Sequence, residues 1–243
     1  MEVKNMKLEA DLHIHTIASG HAYSTVKEIA EAASRKSLKL IALTDHGPAM
    51  PGGPHLYHFG NLRVLPGELQ GVEMLHGVEA NIIDHEGNLD VPERYLHQLD
   101  WIAAGFHPVC YPGGNLEENT KAMIRALENP FVDVVVHPGN PQFRINEEKI
   151  VKVARDLGKL LELNNSSLTI SREGSEENCE LISSLTAQFG GRVVINSDAH
   201  FAEDVGSTAN ALKMAMDAGV TEDQIVNSSV AKVKEFLAER GRE

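Results

Sequence analysis

Short apolar runs alternate with longer segments of helical period along the whole chain. Leu8–His13 reads as a strand, and Thr25–Lys36 follows as an amphipathic helix. Leu40–Thr44 is an apolar strand that runs into Asp45–His46. Residues 47–61, GPAMPGGPHLYHFGN, are rich in glycine and proline and read as loop. Val72–Asn81 contains a third strand and Trp101–Phe106 a fourth. Asn115 caps a helix running towards Asn129, with Glu117 and Glu118 in the first turn, where the helix dipole favours them. Val132–Val136 is a fifth strand, Leu160–Leu163 a sixth and Val193–Asn196 a seventh. Between and after them lie the helical segments Glu147–Gly158, Ser175–Phe189, Thr208–Ala218 and Ser229–Arg240. Strands alternating with helices predict a parallel sheet. Seven such units without a dinucleotide-binding fingerprint predict an α/β barrel rather than an open doubly wound sheet. In a barrel, chemistry gathers at the C-terminal ends of the strands.

Length and composition fit this picture. A chain of 243 residues suits one large α/β domain over 1–243 better than two small ones, and no linker, repeat or low-complexity segment divides it. No apolar run approaches a membrane span, and Met1–Lys7 lacks the apolar stretch of a signal peptide. The two cysteines, Cys110 and Cys179, are too few for a disulfide framework and fit a reducing cytosol, so a cytoplasmic location is expected. The net charge of −13 argues against an extended surface for nucleic acid.

Candidate chemistry lies where the strands end. Asp11-Leu12-His13-Ile14-His15 carries an H-x-H pair; residues i and i+2 of a strand share a face, so both imidazoles can reach one ion. By itself the pair is as easily fortuitous, and its position at a strand end is what gives it weight. His21 follows in the next loop, where an isolated histidine is usually solvated. Thr44-Asp45-His46 ends the second strand, with His46 a candidate ligand and Asp45 a candidate hydrogen-bond acceptor behind it; a polar turn is the plainer reading. Glu79 emerges from a buried strand, which is costly unless the carboxylate is paired or bound to metal, and a carboxylate can bridge two ions. Phe106-His107-Pro108 and Val136-His137-Pro138 repeat one design, in which a histidine closes an apolar strand and proline stops it. Asp198-Ala199-His200 closes the seventh strand. Such a multinuclear site would support hydrolysis at phosphate or at a carbonyl.

Other residues carry less. His55 and His58 lie in the Pro/Gly loop, His85 could contact a substrate, and His76 and His97 read as surface or structural. Cys110 has a ligand-like spacing from His107, although a buried thiol is its commoner fate. Arg63, Arg144 and Arg172 are candidate phosphate contacts, with surface ion pairs the plainer reading for each. P-loop and nucleophile-elbow motifs are absent, which removes the NTPase and serine hydrolase readings.

The ordered set H-x-H, H, D-H, E, H, H, D-x-H resembles the PHP domain (polymerase and histidinol phosphatase), over most of the chain. The stretches DLHIHTIASGHAYS, LTDHGPAMPGGPH, GVEANI, FHPVCYP, VVHPGNP, ELNNSS and GSEENC carry the resemblance, which is nearest to small stand-alone phosphatases with a trinuclear zinc site. The resemblance implies a distorted seven-stranded (β/α)7 TIM-like barrel and hydrolysis of a small phosphomonoester by hydroxide bridging metal ions. It also implies that His13, His15, Glu79 and Asp198 hold one ion, Glu79, His107 and His137 a second, and His21, His46 and His200 a third. Glu79, Asp198 and His13 would hold the attacking hydroxide. Three divalent ions against the carboxylates of Glu79 and Asp198 would leave the site net positive and attractive to phosphate. A histidine-rich set suits zinc, with manganese or iron as alternatives. Where the family's last motif often reads S-D-S-H, Ala199 stands at the third position. The rival functions are a histidinol-phosphate phosphatase, a metal-dependent amidohydrolase and a non-catalytic PHP-like interaction module. For the amidohydrolase, no lysine stands near strand four to bridge two metals.

Overall fold

The computed structural model describes residues 6–241; the expectation of no apolar leader in Met1–Lys7 therefore falls largely on Met1–Asn5, outside the described residues. The strands are β1 (Ala10–Ile14), β2 (Leu40–Leu43), β3 (Glu68–Leu69), β4 (Val72–Asn81), β5 (Trp101–Gly105), β6 (Val134–Val135), β7 (Leu160–Asn164) and β8 (Arg192–Asn196). The α-helices are α1 (Val26–Arg35), α2 (Leu56–Asn61), α3 (Glu93–Leu96), α4 (Leu116–Glu128), α5 (Glu147–Asp156), α6 (Glu176–Phe189), α7 (Ala209–Asp217) and α8 (Val230–Glu239). Seven strands pair in parallel in the order β1-β2-β4-β5-β6-β7-β8, and β3 pairs antiparallel with β4. Among the described residues no helix is long and apolar enough to cross a membrane.

The ring is nearly closed, and side chains close it. Between β8 and β1 the described residues form no continuous ladder, although His15 N donates to Ala199 O at 2.9 Å. Asn196 Oδ1 accepts from Leu12 N at 2.9 Å, and Asn227 Nδ2 donates to both Ala10 O and Ile195 O. The Asp11 carboxylate accepts from Ser197 N, Ser197 Oγ and Gly206 N. These amides and carboxylates satisfy backbone groups that a regular ladder would otherwise pair.

Strand alternation sorts the core into layers. Leu40 and Ala42 of β2, Trp101 and Ala103 of β5, and Val134 of β6 pack together inside the ring, where Val233, Phe236 and Leu237 of α8 plug one end. Residues of opposite parity, such as Ile102, Val135, Leu161 and Ile195, pack outward against α4 to α7, while Ile41 and Leu43 pack against α1. The inward parity becomes polar towards the C-terminal ends of the strands, at Glu79 of β4, Glu162 and Asn164 of β7 and Asn196 of β8, all buried.

β1 departs from strict alternation. Asp11 pairs with Ile41 but Ile14 with Leu43, so one extra residue is accommodated on β1. Leu12 faces the inner core while Ile14 packs outward with Ile29 and Ile41. A bulge of this kind re-aims the side chains beyond it. Here it brings His13 and His15 round to the inner face, their Nε2 atoms 3.1 Å apart.

Three short elements differ from the sequence reading. The segment read as loop over 47–61 ends in α2, which is capped by the His55 side chain and anchored by buried Phe59. The two-residue β3 and the four-residue α3 were below the length at which a hydrophobic period shows.

Candidate metal centre

The nine predicted ligands converge at the C-terminal mouth of the ring. Glu79 lies at the middle of the group. Its Oε1 is 2.7 Å from His137 Nε2 and 3.1 Å from His107 Nε2; its Oε2 is 2.7 Å from His46 Nδ1 and 3.4 Å from the Nε2 atoms of His13 and His15. Asp198 Oδ1 stands 3.5 Å from His13 Nε2, 3.3 Å from His15 Nε2 and 3.6 Å from His200 Nδ1. At the outer edge His200 Nε2 and His21 Nε2 are 3.1 Å apart. Depth is graded: His13, His15 and Glu79 are fully buried, His200 is half-buried and His21 is exposed.

Local backbone geometry aims these groups. His137, Arg172 and Asp198 all adopt positive φ (37°, 51° and 55°), a conformation that costs a residue with a Cβ of the order of 1–3 kcal/mol. Among the described residues, three of the five non-glycine residues in this conformation therefore sit at one site, and surrounding contacts must hold them there. Gly105 makes room for an imidazole, since a Cβ on it would lie 2.7 Å from His137 Cε1.

The donor set fits divalent cations. Glu79 Oε2 and Asp198 Oδ1 are buried and accept no hydrogen bond among the described residues, and both ring nitrogens of His107 and His46 Nδ1 lack a partner of hydrogen-bond geometry. Leaving such groups unsatisfied costs about 1–3 kcal/mol each, more for a charged oxygen. Cations would satisfy the two carboxylate oxygens, His46 Nδ1 and one ring nitrogen of His107. Ligand atoms lie within 4.8 Å of one another in three sets: His15, His46 and His200; His13, His15 and Glu79; and His46, Glu79 and His107. His15, His46 and Glu79 each fall in two of these sets, so they lie at the junctions between neighbouring groups.

Protonation follows burial and charge. Burial drives His15 well below the ordinary histidine range, with repulsion from His46 and His200 in the same direction. Burial and the Arg172 guanidinium lower His137 to about 4, which keeps it neutral and able to ligate. For Glu79, burial favours the neutral acid, but His107, His46 and His13 outweigh it and hold the pKa well below the usual carboxylate range. Asp198 is likewise depressed, burial being overcome by His13 and Arg172. His13 goes the other way: burial opposes its charge, but Glu162, Asp198 and Glu79 together raise its pKa well above the ordinary value.

Glu162 is the residue that sequence reasoning missed. Its Oε1 is 2.7 Å from His13 Nδ1 and accepts from Asn196 Nδ2; its Oε2 accepts from His137 N and Asn164 Nδ2. It thus fixes the ring of one predicted ligand and the backbone of another. The signal was present, because Leu160-Leu161-Glu162-Leu163 places a carboxylate inside an apolar strand, as at Glu79. Replacing Glu162 with Gln is expected to weaken divalent-metal affinity by roughly 10–100-fold, the usual effect of losing a carboxylate behind a ligating histidine. Competition with a chromophoric chelator measures this, and an unchanged affinity would remove Glu162 from the centre.

Other predicted residues are placed as follows. Asp45 does not hydrogen-bond His46. It accepts from Thr16 N, Thr16 Oγ1 and Ser19 Oγ and faces His58 Nε2 at 3.2 Å, and Ser19 Oγ in turn lies 3.0 Å from His15 Nδ1. Burial opposes its ionisation, but the adjacent His58 imidazole and the hydrogen bonds from Ser19 and Thr16 hold its pKa at about 2. Arg172 reaches the centre, with Nη1 2.8 Å from Asp198 Oδ2. Arg63 lines a separate groove beside α2, and His85 Nε2 is engaged by Gly113 O at 2.7 Å. Cys110 is half-buried, its thiol pushed up to about 12 by burial.

A parallel β/α ring whose C-terminal mouth holds seven imidazoles around two carboxylates defines a class of metal-binding barrel proteins. The PHP domain family model matches residues 11–204, and the chain belongs to that family. A probable phosphatase of Thermoanaerobacter sp. (strain X514) is 52% identical, covering 98% of this chain and 97% of the relative. A probable phosphatase of Acetivibrio thermocellus is 50% identical, covering 96% of each. Among solved structures, the histidinol phosphate phosphatase of Lactococcus lactis complexed with zinc, L-histidinol and phosphate has the same fold. It aligns with a TM-score of 0.64 at 15% identity, over 88% of this chain and 94% of that one.

Proposed function

We propose that this chain is a metal-dependent phosphatase of small phosphomonoesters, with the nine converging side chains holding three divalent ions, chiefly zinc. The observation that carries the reading is the pair of buried carboxylate oxygens without a hydrogen-bond partner among the described residues, Glu79 Oε2 and Asp198 Oδ1, set among imidazole nitrogens, with Asp198, His46, His107 and His200 lining an open cavity. The relatives described as probable phosphatases, at about half identity over nearly the full chain, support the same activity. Histidine nitrogens with carboxylate oxygens suit zinc, with manganese or iron as alternatives.

When bound, such ions supply Lewis acidity towards phosphoryl oxygens and lower the pKa of water. The protein's own groups supply position. Glu162 accepts from His13 Nδ1 and so leaves Nε2 facing Glu79 and Asp198. Arg172, held against Asp198 and Ser171 Oγ, puts a fixed positive charge at the cavity wall, where a phosphate dianion would gain a bidentate partner. Neutral His15 and His137 need lose no proton to ligate.

The test is metal content by plasma mass spectrometry on protein purified without chelator or histidine tag, together with phosphate release. Roughly three divalent ions per chain, mostly zinc, and hydrolysis of phosphomonoesters but not of amides or lactones, are expected for this donor set. Zero or about one ion per chain would overturn the trinuclear reading, and amide or lactone turnover would favour the amidohydrolase.

A further inference from the structure

We propose that the cavity above the metal centre selects phosphomonoesters whose leaving group is uncharged and apolar, seating it on Tyr23, Phe201 and Ile170. This deepens the phosphatase reading and rests on it. The cavity has a volume of about 680 Å³, within the range that accommodates a whole small organic molecule and not just a phosphate. Its floor carries Asp198, His200 and Arg172. Its rim carries three of the ten exposed large apolar residues among the described residues: Ile170 at 83%, Tyr23 at 76% and Phe201 at 50%. Aromatic and branched side chains left this exposed in water gain by covering an apolar ligand. Their position beside the reacting floor makes the leaving group of a bound phosphoester the occupant within reach.

The rim is built and held in place. Tyr23 N donates to His200 O at 2.8 Å, and Ala202 N donates to Ser24 Oγ at 2.9 Å. These two bonds tie the loop after β1 to the loop after β8, and so place Tyr23 next to the segment that carries Phe201. They tie the same loops that carry His21 and His200, so apolar rim and candidate ligands share one scaffold. Across the mouth, Ile170 N and Ser171 N both donate to Ser166 O at 3.0 Å, a tight turn that leaves the Ile170 side chain projecting. A rim fixed before binding loses little freedom when a ligand arrives.

Charge argues for a neutral leaving group. Among the described residues lining the cavity, the charged groups other than the candidate ligands are Arg172 and Asp204. Arg172 is committed to Asp198 and the phosphate side. Asp204 is exposed, where water screens its attraction for a cationic leaving group and where it repels an anionic one. The lining also carries neutral polar groups, such as Thr169 and Ser207, but the large exposed surface beside the reacting floor is apolar, so burial of an aromatic or aliphatic group there is the main gain beyond the phosphate.

The experiment uses two non-hydrolysable probes that differ only in the ring, 3-phenylpropylphosphonate and propylphosphonate, titrated calorimetrically into the zinc-loaded full chain. The expected result is about tenfold tighter binding of the phenyl compound or more. That ratio should fall at least about fivefold in Tyr23→Ser and in Phe201→Ser, both exposed positions. The matched substrates, 2-phenylethyl phosphate and ethyl phosphate, have alkyl leaving groups, and the ratio of their kcat/KM should follow the same order. Equal affinity of wild type for the two phosphonates overturns the proposal, as does a ratio that neither substitution changes. Ring-independent affinity accompanied by concentration-dependent sedimentation would assign the rim to a second copy of the chain instead. Absence of phosphate release from both substrates, with ring-selective phosphonate binding intact, would overturn the phosphatase reading while the apolar subsite stands.

Discussion

Stripping the divalent ions with a strong chelator is expected to abolish phosphate release and to lower the thermal midpoint by about 10 °C. The magnitude follows from linkage: a ligand present at about a thousand times its dissociation constant stabilises the folded state by about 4 kcal/mol. For a domain of this size each kcal/mol shifts the midpoint by roughly 2–4 °C. The structural cause is the state of the centre without cations. Glu79 Oε2 and Asp198 Oδ1 are then buried charges without hydrogen bonds, inside a ring of imidazoles. The chain stays folded after stripping, because the barrel core and the Asn196 and Asn227 closure between β8 and β1 do not involve these atoms. Scanning calorimetry with and without added zinc checks the shift. A midpoint unmoved by chelation, with activity retained, would show that the cluster works without metal.

The same titration has a proton signature. His13 has a raised pKa and so carries a second proton at neutral pH, and an ion can occupy its Nε2 only when that proton leaves. His15 and His137, with lowered pKa values, have none to give at that pH. Metal binding near pH 7 is therefore expected to release at least about one proton per chain, that of His13, besides any lost by water that becomes bound hydroxide. Affinity should weaken by about tenfold for each unit of acidification, as long as His13 stays protonated in the free protein. Calorimetry in buffers of different ionisation enthalpy counts the proton, and pH-independent affinity would contradict the assignment.

Much of this centre could be read from the sequence because strand ends impose a simple geometry. An apolar run followed by His-Pro, as at His107 and His137, leaves the imidazole at the edge of a buried strand whatever the rest of the fold does. The alternation that carries Leu40 and Ala42 inward carries His46 inward as well. The reading was weaker where alternation broke. The bulge in β1 lies between Asp11 and Ile14 and depends on pairing with β2, which no local pattern reports. Adjacency in the chain pairs Asp45 with His46, but the turn directs its carboxylate to Thr16 and Ser19, a contact across two loops. Glu162 shows in the sequence only as a carboxylate in an apolar strand, and its partners, His13 of β1 and Asn196 of β8, meet it only when the ring closes. α2 was hidden by the glycines and prolines before it: its six residues are fixed by the burial of Phe59, which is a tertiary effect.

Glu79→Gln is expected to lower kcat/KM for phosphomonoesters by about 10³-fold, the scale seen when one preorganised charge-stabilising group is removed, and to cost at least about one bound ion per chain. Glutamine keeps the shape of the side chain, so the change isolates charge and donor character. Five imidazoles lie within 3.4 Å of the two Glu79 oxygens. An amide turns one of those acceptors into an NH₂ donor and removes the negative charge that burial alone would have neutralised. Whichever way the amide faces, a donor meets nitrogens that should present lone pairs to a cation. Asp198→Asn should be milder, because only two imidazole nitrogens lie within 3.5 Å of Asp198 Oδ1, although Arg172 and Asn164 would hold the amide oxygen and turn the NH₂ towards the centre. Circular dichroism should show both variants folded, so a loss of activity would report on the site. A Glu79→Gln protein that keeps its full metal content and activity within about tenfold of wild type would mean the centre is not organised around this carboxylate. Loss of metal in Glu79→Gln, with no phosphatase activity in the wild type, would instead favour the interaction-module reading. The two readouts, metal per chain and phosphate released, therefore separate a misplaced ligand from a misassigned function.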